Sequence, residues 1–315
     1  MSVDVTELAR GVTTRSAVSV ARAISLVEDR RPAQEPKILS LLANLAKSPN
    51  VAACRRVGIT GPPGVGKSSL VSALCRALRA QGHSVGVLAV DPSSPRSGGA
   101  LLGDRARIVH DPDDGDVFIR SMASGGHLGG LARAAGAAVD VLSAAYDWVL
   151  VETTGVGQSE TDIEHVADTV LLVIQPASGD MLQFIKAGIL EIPDVLAVNK
   201  ADLGEVAARA GAELRAALEA LGTARTPPVV HTSTLTGEGI DELVRVLAEH
   251  RDDIADLSAR RIEKSAQWAL RLFTHRYGEL GVDDRGGPSA LRAELSRLIA
   301  SGASSLSAVA QLAPR

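Results

Sequence analysis

The chain has 315 residues, of which 45% are hydrophobic and 22% charged, and its formal net charge is −4. This balance is typical of a globular protein, and the length predicts one main domain with smaller appendages. The sequence has no polybasic block, which argues against nucleic-acid binding. Its aromatic residues are three Phe, two Tyr and two Trp, too few for a base-stacking surface.

The N-terminal stretch MSVDVTELARG carries acidic residues and no apolar segment, so we expect no signal peptide. Nowhere does the sequence hold 18 consecutive apolar residues, and we therefore expect no membrane span. The two cysteines, Cys54 and Cys75, lie far apart and form no C-x-x-C motif. These features together predict a cytoplasmic protein without structural disulfides.

Residues 1–54 are predicted to form a helical extension. Two amphipathic stripes support this, and they end near Arg31-Pro32 and near Ser48-Pro49. The stripes consist of Ala17, Val20, Ala21, Ile24 and Val27, and of Ile38, Leu41, Leu42 and Leu45. We see no chemical motif here and expect the extension to pack on the main domain or to contact a partner.

Residues 55–255 alternate between short aliphatic runs and helical patterns, which predicts a mostly parallel α/β sheet with helices on both faces. The predicted strands are Val57–Thr60, Val85–Val90, Trp148–Val151, Val170–Ile174, Val195–Val198 and Val229–Thr232. Polar residues follow several of them, at the sheet edge where such folds bind ligands. Residues 256–315 return to helical patterns, with one predicted helix over Arg260–Tyr277 and another starting near Ser289.

The segment Gly61–Ser68 reads G-x-x-x-x-G-K-S between a predicted strand and a predicted helix, which is the context a P-loop requires. Its backbone N–H groups can cradle phosphates, Lys67 can reach the β- and γ-phosphates, and Ser68 can bind Mg²⁺. Pro62 and Pro63 lack N–H groups, so the cradle must use residues from Gly64 onward. The predicted phosphate contacts are Gly61, Gly64, Val65, Gly66, Lys67, Ser68 and Ser69.

The tetrapeptide Asn199-Lys200-Ala201-Asp202 matches N-K-x-D at the end of a predicted strand. The Asp202 carboxylate can accept two hydrogen bonds from guanine, whereas adenine offers no matching pair of donors. The sequence therefore predicts guanine specificity, with a helix N-cap at Asp202 as the alternative. Ser233-Thr234-Leu235 follows the next strand and is predicted to close over the base, although the same residues occur in ordinary turns.

Glu152 ends another predicted strand, in the stretch Val151-Glu152-Thr153-Thr154-Gly155. This stretch resembles the D-x-x-G element of GTPases, with Glu152 predicted to bind the metal through water or to orient the attacking water. Its alternative role is to cap local backbone groups. Val156 occupies the place where many GTPases carry a water-positioning Gln, and Gln158 comes two residues later. We therefore expect slow intrinsic hydrolysis that a partner accelerates.

Asp91 and Asp104 are candidate Mg²⁺ ligands, and for each the alternative is a turn or cap residue. Three arginines, Arg96, Arg105 and Arg120, are candidate charge-stabilising fingers, although most such arginines are merely solvated. The glycine-rich stretch around His127 lacks G-K-S, so a mobile switch is favoured over a second phosphate site. The scattered histidines form no H-x-x-x-H pair, and we expect no transition-metal site.

Several segments together resemble the MeaB/ArgK/MMAA group of P-loop GTPases. They are GPPGVGKSS, LAVDPSSPRSGGALLGDRAR, IRSMASGGHLGGLA, VLVETTGVGQSE, GDMLQFIKAGILE and VNKAD. The resemblance covers about residues 15 to 250 and is weak over 256–315.

The resemblance implies a GTP-hydrolysing chaperone that uses GTP/GDP and Mg²⁺ and gates adenosylcobalamin loading of an acyl-CoA mutase. It also implies a homodimer formed through the C-terminal helices, with an adenosyltransferase as a further partner. The family's partner-coupling switch matches Ser178–Lys186, so its functional residues carry over to Asp180, Gln183 and Lys186. Met181 and Thr234 depart from the family pattern.

Three other interpretations stay open at this point. A nickel-insertion GTPase would need a His-rich tract or a Cys/His pair near the switches, and the sequence shows neither. A GTP/GDP-sensing scaffold that does not hydrolyse GTP is compatible with Val156. A small-molecule P-loop kinase is disfavoured by Asp202.

Overall fold

A seven-stranded parallel sheet lies at the centre of the computed structural model, which describes residues 4–91, 108–123, 131, 133–153, 162–176, 192–220 and 226–313. The strands are β1 (Arg55–Thr60), β2 (Val85–Asp91), β3 (Val117–Ala123), β4 (Trp148–Thr153), β5 (Thr169–Ile174), β6 (Val195–Asn199) and β7 (Val229–Thr232). Their order in the sheet is β3-β2-β4-β1-β5-β6-β7. Because all pairs are parallel, the carboxyl ends of the strands meet at one edge.

The predicted α/β fold is confirmed, but one strand was missed. Within the described residues, β3 is an edge strand that pairs with β2, and two of its seven residues, Ile119 and Met122, are buried. Arg120 and Ser121 interrupt its apolar residues, so it lacks the continuous aliphatic run of a strand buried on both faces. The other six strands carry such runs and were predicted to within two residues.

Helices cover both faces of this sheet, and those at the two termini confirm the predicted extensions. They are α1 (Val5–Thr13), α2 (Ala17–Glu28), α3 (Glu35–Leu45), α4 (Asn50–Ala53), α5 (Lys67–Ala80), α6 (Ala135–Ser143), α7 (Glu205–Ala220), α8 (Ile240–Asp252), α9 (Leu257–Asp283), α10 (Gly287–Ala300) and α11 (Ser305–Gln311). Within the described ranges, no helix is long and apolar enough to cross a membrane.

The C-terminal helices differ from the prediction in extent and number. α9 continues past Tyr277 to Asp283 through a kink at Gly278, where φ is +71°. α10 begins at Gly287, close to the predicted start at Ser289. The sequence analysis missed α11, a short helix capped by the Ser304 side chain, because its serine- and alanine-rich sequence carries little hydrophobic periodicity.

The two faces of the sheet bury separate cores, because successive strand side chains point to opposite faces. On β4, Leu150 packs with α5 and α8, whereas Val149 and Val151 pack on the opposite face. That opposite face is covered by α6 together with the N-terminal helices α1–α3 and the C-terminal helices α9–α11. The two terminal extensions therefore share one core. The domain boundaries at residues 54/55 and 255/256 stay a prediction.

Both cysteines are free thiols inside these cores. Cys75 lies on α5 and is 2% exposed, so it serves as a small core residue. Cys54 immediately precedes β1 and is fully buried beneath the N-terminal helices. Because they belong to the cores of opposite sheet faces, the structure offers them no route to a disulfide.

Buried ion pairs fasten α9 to the amino ends of the strands. Arg261 forms two hydrogen bonds with the Asp168 carboxylate, at 2.7 and 2.6 Å, just before β5. Burial alone would raise the pKa of Asp168, but the hydrogen bond and charge of Arg261 outweigh it and the pKa is lowered. One residue before β6, Asp194 accepts from Arg260 at 2.9 Å and lies 3.2 Å from His250 Nε2.

Asp194 generates a prediction about stability at low pH. Burial acts to raise its pKa, but hydrogen bonds and charges, led by His250, bring the pKa down to about 2 from 3.8. A lowered folded-state pKa gives stability that is present above about pH 4 and lost as the pH falls towards 2. In urea denaturation, the stability advantage of the wild type over Asp194→Asn should shrink by about 2 kcal/mol across this range.

The matched control is Asp283→Asn, at an exposed position near the end of α9. It should follow the wild type at every pH. A constant difference between wild type and Asp194→Asn from neutral pH down to pH 2 would contradict the assignment of a lowered pKa to Asp194.

Candidate nucleotide-binding site

The P-loop joins β1 to α5 in a conformation that depends on glycine. Gly61, Gly64 and Gly66 all have positive φ values, of +141°, +81° and +94°. A side chain at Gly61 would collide with the backbone carbonyl of Val173 on β5. A side chain at Gly66 would collide with the Asn199 side chain. The loop therefore needs glycine both for its backbone angles and for close packing against two neighbouring strands.

Lys67 is the first residue of α5 and is only 7% exposed. Its Nζ donates to the carbonyl oxygens of Gly61 at 2.7 Å and Pro62 at 2.9 Å. These bonds hold the ammonium group over the loop, at the positive end of a 14-residue helix. The predicted helix is confirmed, with Leu70, Leu74 and Leu78 buried against the sheet.

Ser68 and Glu152 meet directly. The Ser68 hydroxyl donates to Glu152 Oε1 at 2.7 Å, and Glu152 is 4% exposed on β4, opposite Ile59 of β1. Next to Glu152, the Thr153 hydroxyl lies 3.2 Å from the hydroxyl of Thr60, the last residue of β1. The two strands thus bring a hydroxyl and a carboxylate together at the start of α5, and such oxygen groups are the ligands that Mg²⁺ prefers.

Asn199 connects the P-loop to the N-K-x-D motif. It ends β6 and is 1% exposed, and its Nδ2 donates to the carbonyl oxygen of Val65 at 2.8 Å. The Thr232 hydroxyl on β7 donates to Asn199 Oδ1 at 3.4 Å. Lys200 has a φ of +64°, and its Nζ bonds the Gln175 side chain after β5 and approaches the Gly64 carbonyl at 3.5 Å.

Asp202 is held by the loop that follows β7. The buried Ser233 hydroxyl donates to Asp202 Oδ1 at 2.5 Å, and Ser233 Oγ in turn accepts from the N–H groups of Leu235 and Thr236. Thr234 is partly exposed and Leu235 is 82% exposed. Asp202 is itself exposed, so its carboxylate is oriented on one side and accessible on the other.

The structure argues against the alternative in which Asp202 caps a helix. α7 begins at Glu205, and the carbonyl oxygen of Gly204 accepts the first helical hydrogen bonds, from Ala207 and Ala208. Gly204 therefore occupies the N-cap position. Asp202 lies in the preceding 3₁₀ turn, Ala201–Leu203.

Several predicted residues cannot be compared with the structure. Asp91 is the last residue of β2, at the same sheet edge as Glu152, but its side chain lies outside the described part. The remaining switch, metal and finger candidates also lie outside the described residues, and their roles stay predictions. They are Asp104, Arg96, Arg105, His127, Val156, Gln158, Asp180, Met181, Gln183 and Lys186.

Arg120 is poorly placed for a charge-stabilising finger. It lies on β3, three strands away from the P-loop strand β1, or about 14 Å across the sheet. Its guanidinium donates to Glu28 at 2.5 Å and to Ser25 at 3.3 Å, both on α2. Arg120 thus ties the edge strand to the N-terminal extension.

Sequence analysis missed two side chains that position the site, Gln175 and Thr232. Gln175 directly follows β5 and bonds Lys200, and Thr232 ends β7 and bonds Asn199. A signal for both was present, because each occurs where a predicted strand ends at the ligand-binding edge. Their partners could not be read from the sequence, since both contacts cross between strands.

Comparison with known proteins finds a matching family and several relatives. Residues 20–280 match the family described as Methylmalonyl Co-A mutase-associated GTPase MeaB. A Caulobacter vibrioides protein named as a GTPase is 40% identical over 283 residues, or 87% of this chain and 86% of that protein. The mitochondrial methylmalonic aciduria type A homolog of Mus musculus is 39% identical over 228 residues, or 69% of this chain and 55% of that protein.

A solved structure shares the fold over nearly the whole chain. The crystal structure of an LAO/AO transport system kinase gives a TM-score of 0.67 and 27% sequence identity. The match covers 95% of this chain and 99% of that chain. The similarity therefore includes the helices at both ends as well as the sheet.

The position of Asp202 generates a prediction about base specificity. In Asp202→Asn, the amide would present a donor where guanine requires an acceptor. Affinity for GDP should fall by about 100-fold or more, because two charge-assisted hydrogen bonds are lost. Affinity for the xanthine nucleotide should rise, since xanthine carries a carbonyl oxygen at that position. Fluorescent-nucleotide titration measures both.

Asp241→Asn, an exposed change on α8, is the matched control and should bind GDP as the wild type does. Equal GDP affinity of Asp202→Asn and the wild type would rule out base recognition by Asp202.

Proposed function

The chain belongs to the MeaB family of methylmalonyl-CoA mutase-associated GTPases, and we propose that it serves as a GTP-hydrolysing chaperone for an adenosylcobalamin-dependent acyl-CoA mutase. The observation that carries this proposal is the family match over residues 20–280, which spans the whole nucleotide site. The GTPase chemistry has independent support from the contacts of Lys67, Glu152 and Asp202. Association with a mutase rests on the family and on the relatives' names.

Two loops bind the nucleotide, the P-loop and the N-K-x-D loop, and Asn199 joins them. Backbone N–H groups from Gly64 to Ser69 and the Lys67 ammonium group hold the phosphates. Asp202, oriented by Ser233, accepts hydrogen bonds from the guanine N–H groups. The backbone of Ser233, Thr234 and Leu235 closes over the base. The bond from Asn199 Nδ2 to the Val65 carbonyl fixes the distance between the phosphate and base contacts.

The oxygen donors at the start of α5 fit a magnesium ion. Ser68 and Glu152 would hold it, the first directly and the second through water, and Asp91 and Asp104 are further proposed ligands. When bound, Mg²⁺ neutralises part of the charge on the nucleotide phosphates. Glu152 also orients the attacking water, for which its buried carboxylate is held beside the phosphate loop by Ser68.

We propose a slow intrinsic rate that the partner accelerates, because Val156 replaces the water-positioning Gln of many GTPases. The GTP state gates loading of adenosylcobalamin onto the mutase, with an adenosyltransferase as the supplier. Asp180, Gln183 and Lys186 transmit the nucleotide state to the partner. We further propose a cytoplasmic homodimer whose subunits meet through the C-terminal helices.

The decisive experiment measures GTP turnover and cofactor loading together. The full-length chain is assayed alone and with methylmalonyl-CoA mutase, and then with related acyl-CoA mutases. Turnover should be slow alone and rise at least about tenfold with the correct mutase, since a partner supplies transition-state contacts. Adenosylcobalamin transfer to that mutase should depend on GTP. Turnover that no mutase changes would contradict the chaperone role while leaving the GTPase intact.

Glu152→Gln tests the proposed catalytic carboxylate. The amide keeps the side-chain length but removes the charge that orients water, so kcat for GTP should fall about 100-fold. Affinity for GDP without magnesium should change little, because the amide oxygen of the variant can still accept the hydrogen bond from Ser68. Glu263→Gln, on an exposed position of α9, is the control and should keep the wild-type kcat. An unchanged kcat in Glu152→Gln would refute the assignment.

A further inference from the structure

A cavity lies at the edge of the sheet opposite the P-loop. Its volume is about 570 Å³, within the range of small-molecule sites. α3, α4, α6, α9 and the segment from α10 to α11 contribute to its walls. Arg56, at the start of β1, lines it, whereas the P-loop follows the end of that six-residue strand. About 15 Å of strand therefore separates the cavity from the phosphate loop.

The cavity walls are mainly apolar, with a pair of opposite charges among them. The apolar side chains include Leu42, Val51, Ile262 and Ile299. Arg56 and Asp140 supply this pair, with Arg261 as a further charged side chain in the wall, and Arg56 Nη2 lies 3.4 Å from Asp140 Oδ1. That distance is long for a charge-assisted hydrogen bond, which is normally about 2.7–2.9 Å. The pair is thus loosely engaged.

Arg56 has one donor without a partner in a buried position. The residue is 9% exposed, and its Nε is buried and lacks a hydrogen-bond partner within the described part of the chain. The other cavity arginine, Arg261, differs because its guanidinium is fully engaged by Asp168 and by the carbonyls of Val51 and Cys54. The Arg56 guanidinium is engaged by Asp140 at 3.4 Å, so an acceptor in the cavity would add a hydrogen bond to it.

Asp140 presents the opposite charge to the cavity. Its side chain keeps 36% of its surface exposed and lines the cavity. Burial raises the pKa of Asp140, although the charges of Arg56 and Arg261 and a hydrogen bond from Arg56 act to lower it. A cation at this carboxylate would stabilise it. An anion beside Arg56 and a cation beside Asp140 would therefore be stabilised at adjacent positions.

We propose that this cavity binds a small zwitterion with an apolar body, of the kind presented by an apolar α-amino acid. The ligand carboxylate would reach Arg56, and its ammonium group would reach Asp140. The apolar side chain would lie against Leu42, Val51, Ile262 and Ile299. Such a ligand adds no net charge, which matters because an uncompensated charge in a buried site is costly.

Three six-carbon probes test the ligand class on the full-length, GDP-saturated protein, so that the nucleotide site is filled. Norleucine carries both charges, hexanoate only the carboxylate and hexylamine only the ammonium group. Norleucine should raise Tm by about 2 °C at tenfold its Kd. The other two should bind at least about tenfold more weakly by calorimetry, since each lacks one ionic contact.

Two variants separate binding in the cavity from a general effect on stability. Asp140→Asn removes the charge that selects the ammonium group, so hexanoate should then bind as well as norleucine. Ala303→Phe places an aromatic ring in the cavity and should abolish norleucine binding. Ala259→Phe makes the same change at an exposed position of α9 and should leave binding unchanged.

Three results would overturn the proposal. The first is that norleucine does not bind the wild type at millimolar concentration. The second is that hexanoate and norleucine bind the wild type equally well. The third is that norleucine still binds Ala303→Phe. GTP turnover in each variant shows whether the nucleotide site is intact, so failure here is distinguishable from failure of the chaperone function.

Discussion

The hydrogen bond from Asn199 Nδ2 to the carbonyl oxygen of Val65 connects the two halves of the nucleotide site. It joins the end of β6 to the loop after β1, although 134 residues separate the partners in sequence. The contact is possible because Gly66 has no side chain to block the Asn199 amide. The amide is in turn held by Thr232, so β1, β6 and β7 all contribute to a single buried connection. The spacing between the proposed phosphate and base contacts depends on it.

The same sheet organises the opposite edge of the molecule. There α9 fastens to residues just before β5 and β6 through Arg261 with Asp168 and Arg260 with Asp194. These pairs lie beside the core that the N-terminal and C-terminal helices share. The terminal extensions thus form one layer that is attached to the strands by charge as well as by apolar packing. The cavity with Arg56 and Asp140 lies in this layer.

Much of the fold followed from local sequence patterns. Six strands were predictable because each is buried on both faces and carries an aliphatic run, whereas β3 was missed because an edge strand tolerates Arg120 and Ser121. The P-loop and N-K-x-D motifs predicted the candidate site because their chemistry depends on fixed spacing. The contacts that complete the site were not predictable. Gln175 with Lys200 and Ser233 with Asp202 join residues from different strands, and only the folded sheet brings them together.

The two thiols give the protein a useful chemical property. Burial raises the pKa of Cys54 to about 11 and that of Cys75 to about 12, although nearby arginines oppose the shift. Both sulfurs are therefore protonated at neutral pH and shielded from reagents. They are the only cysteines in the chain. Replacing an exposed residue such as Leu235 by cysteine would introduce the one reactive thiol, so a fluorophore could be attached beside the proposed base-binding loop without removing the native cysteines.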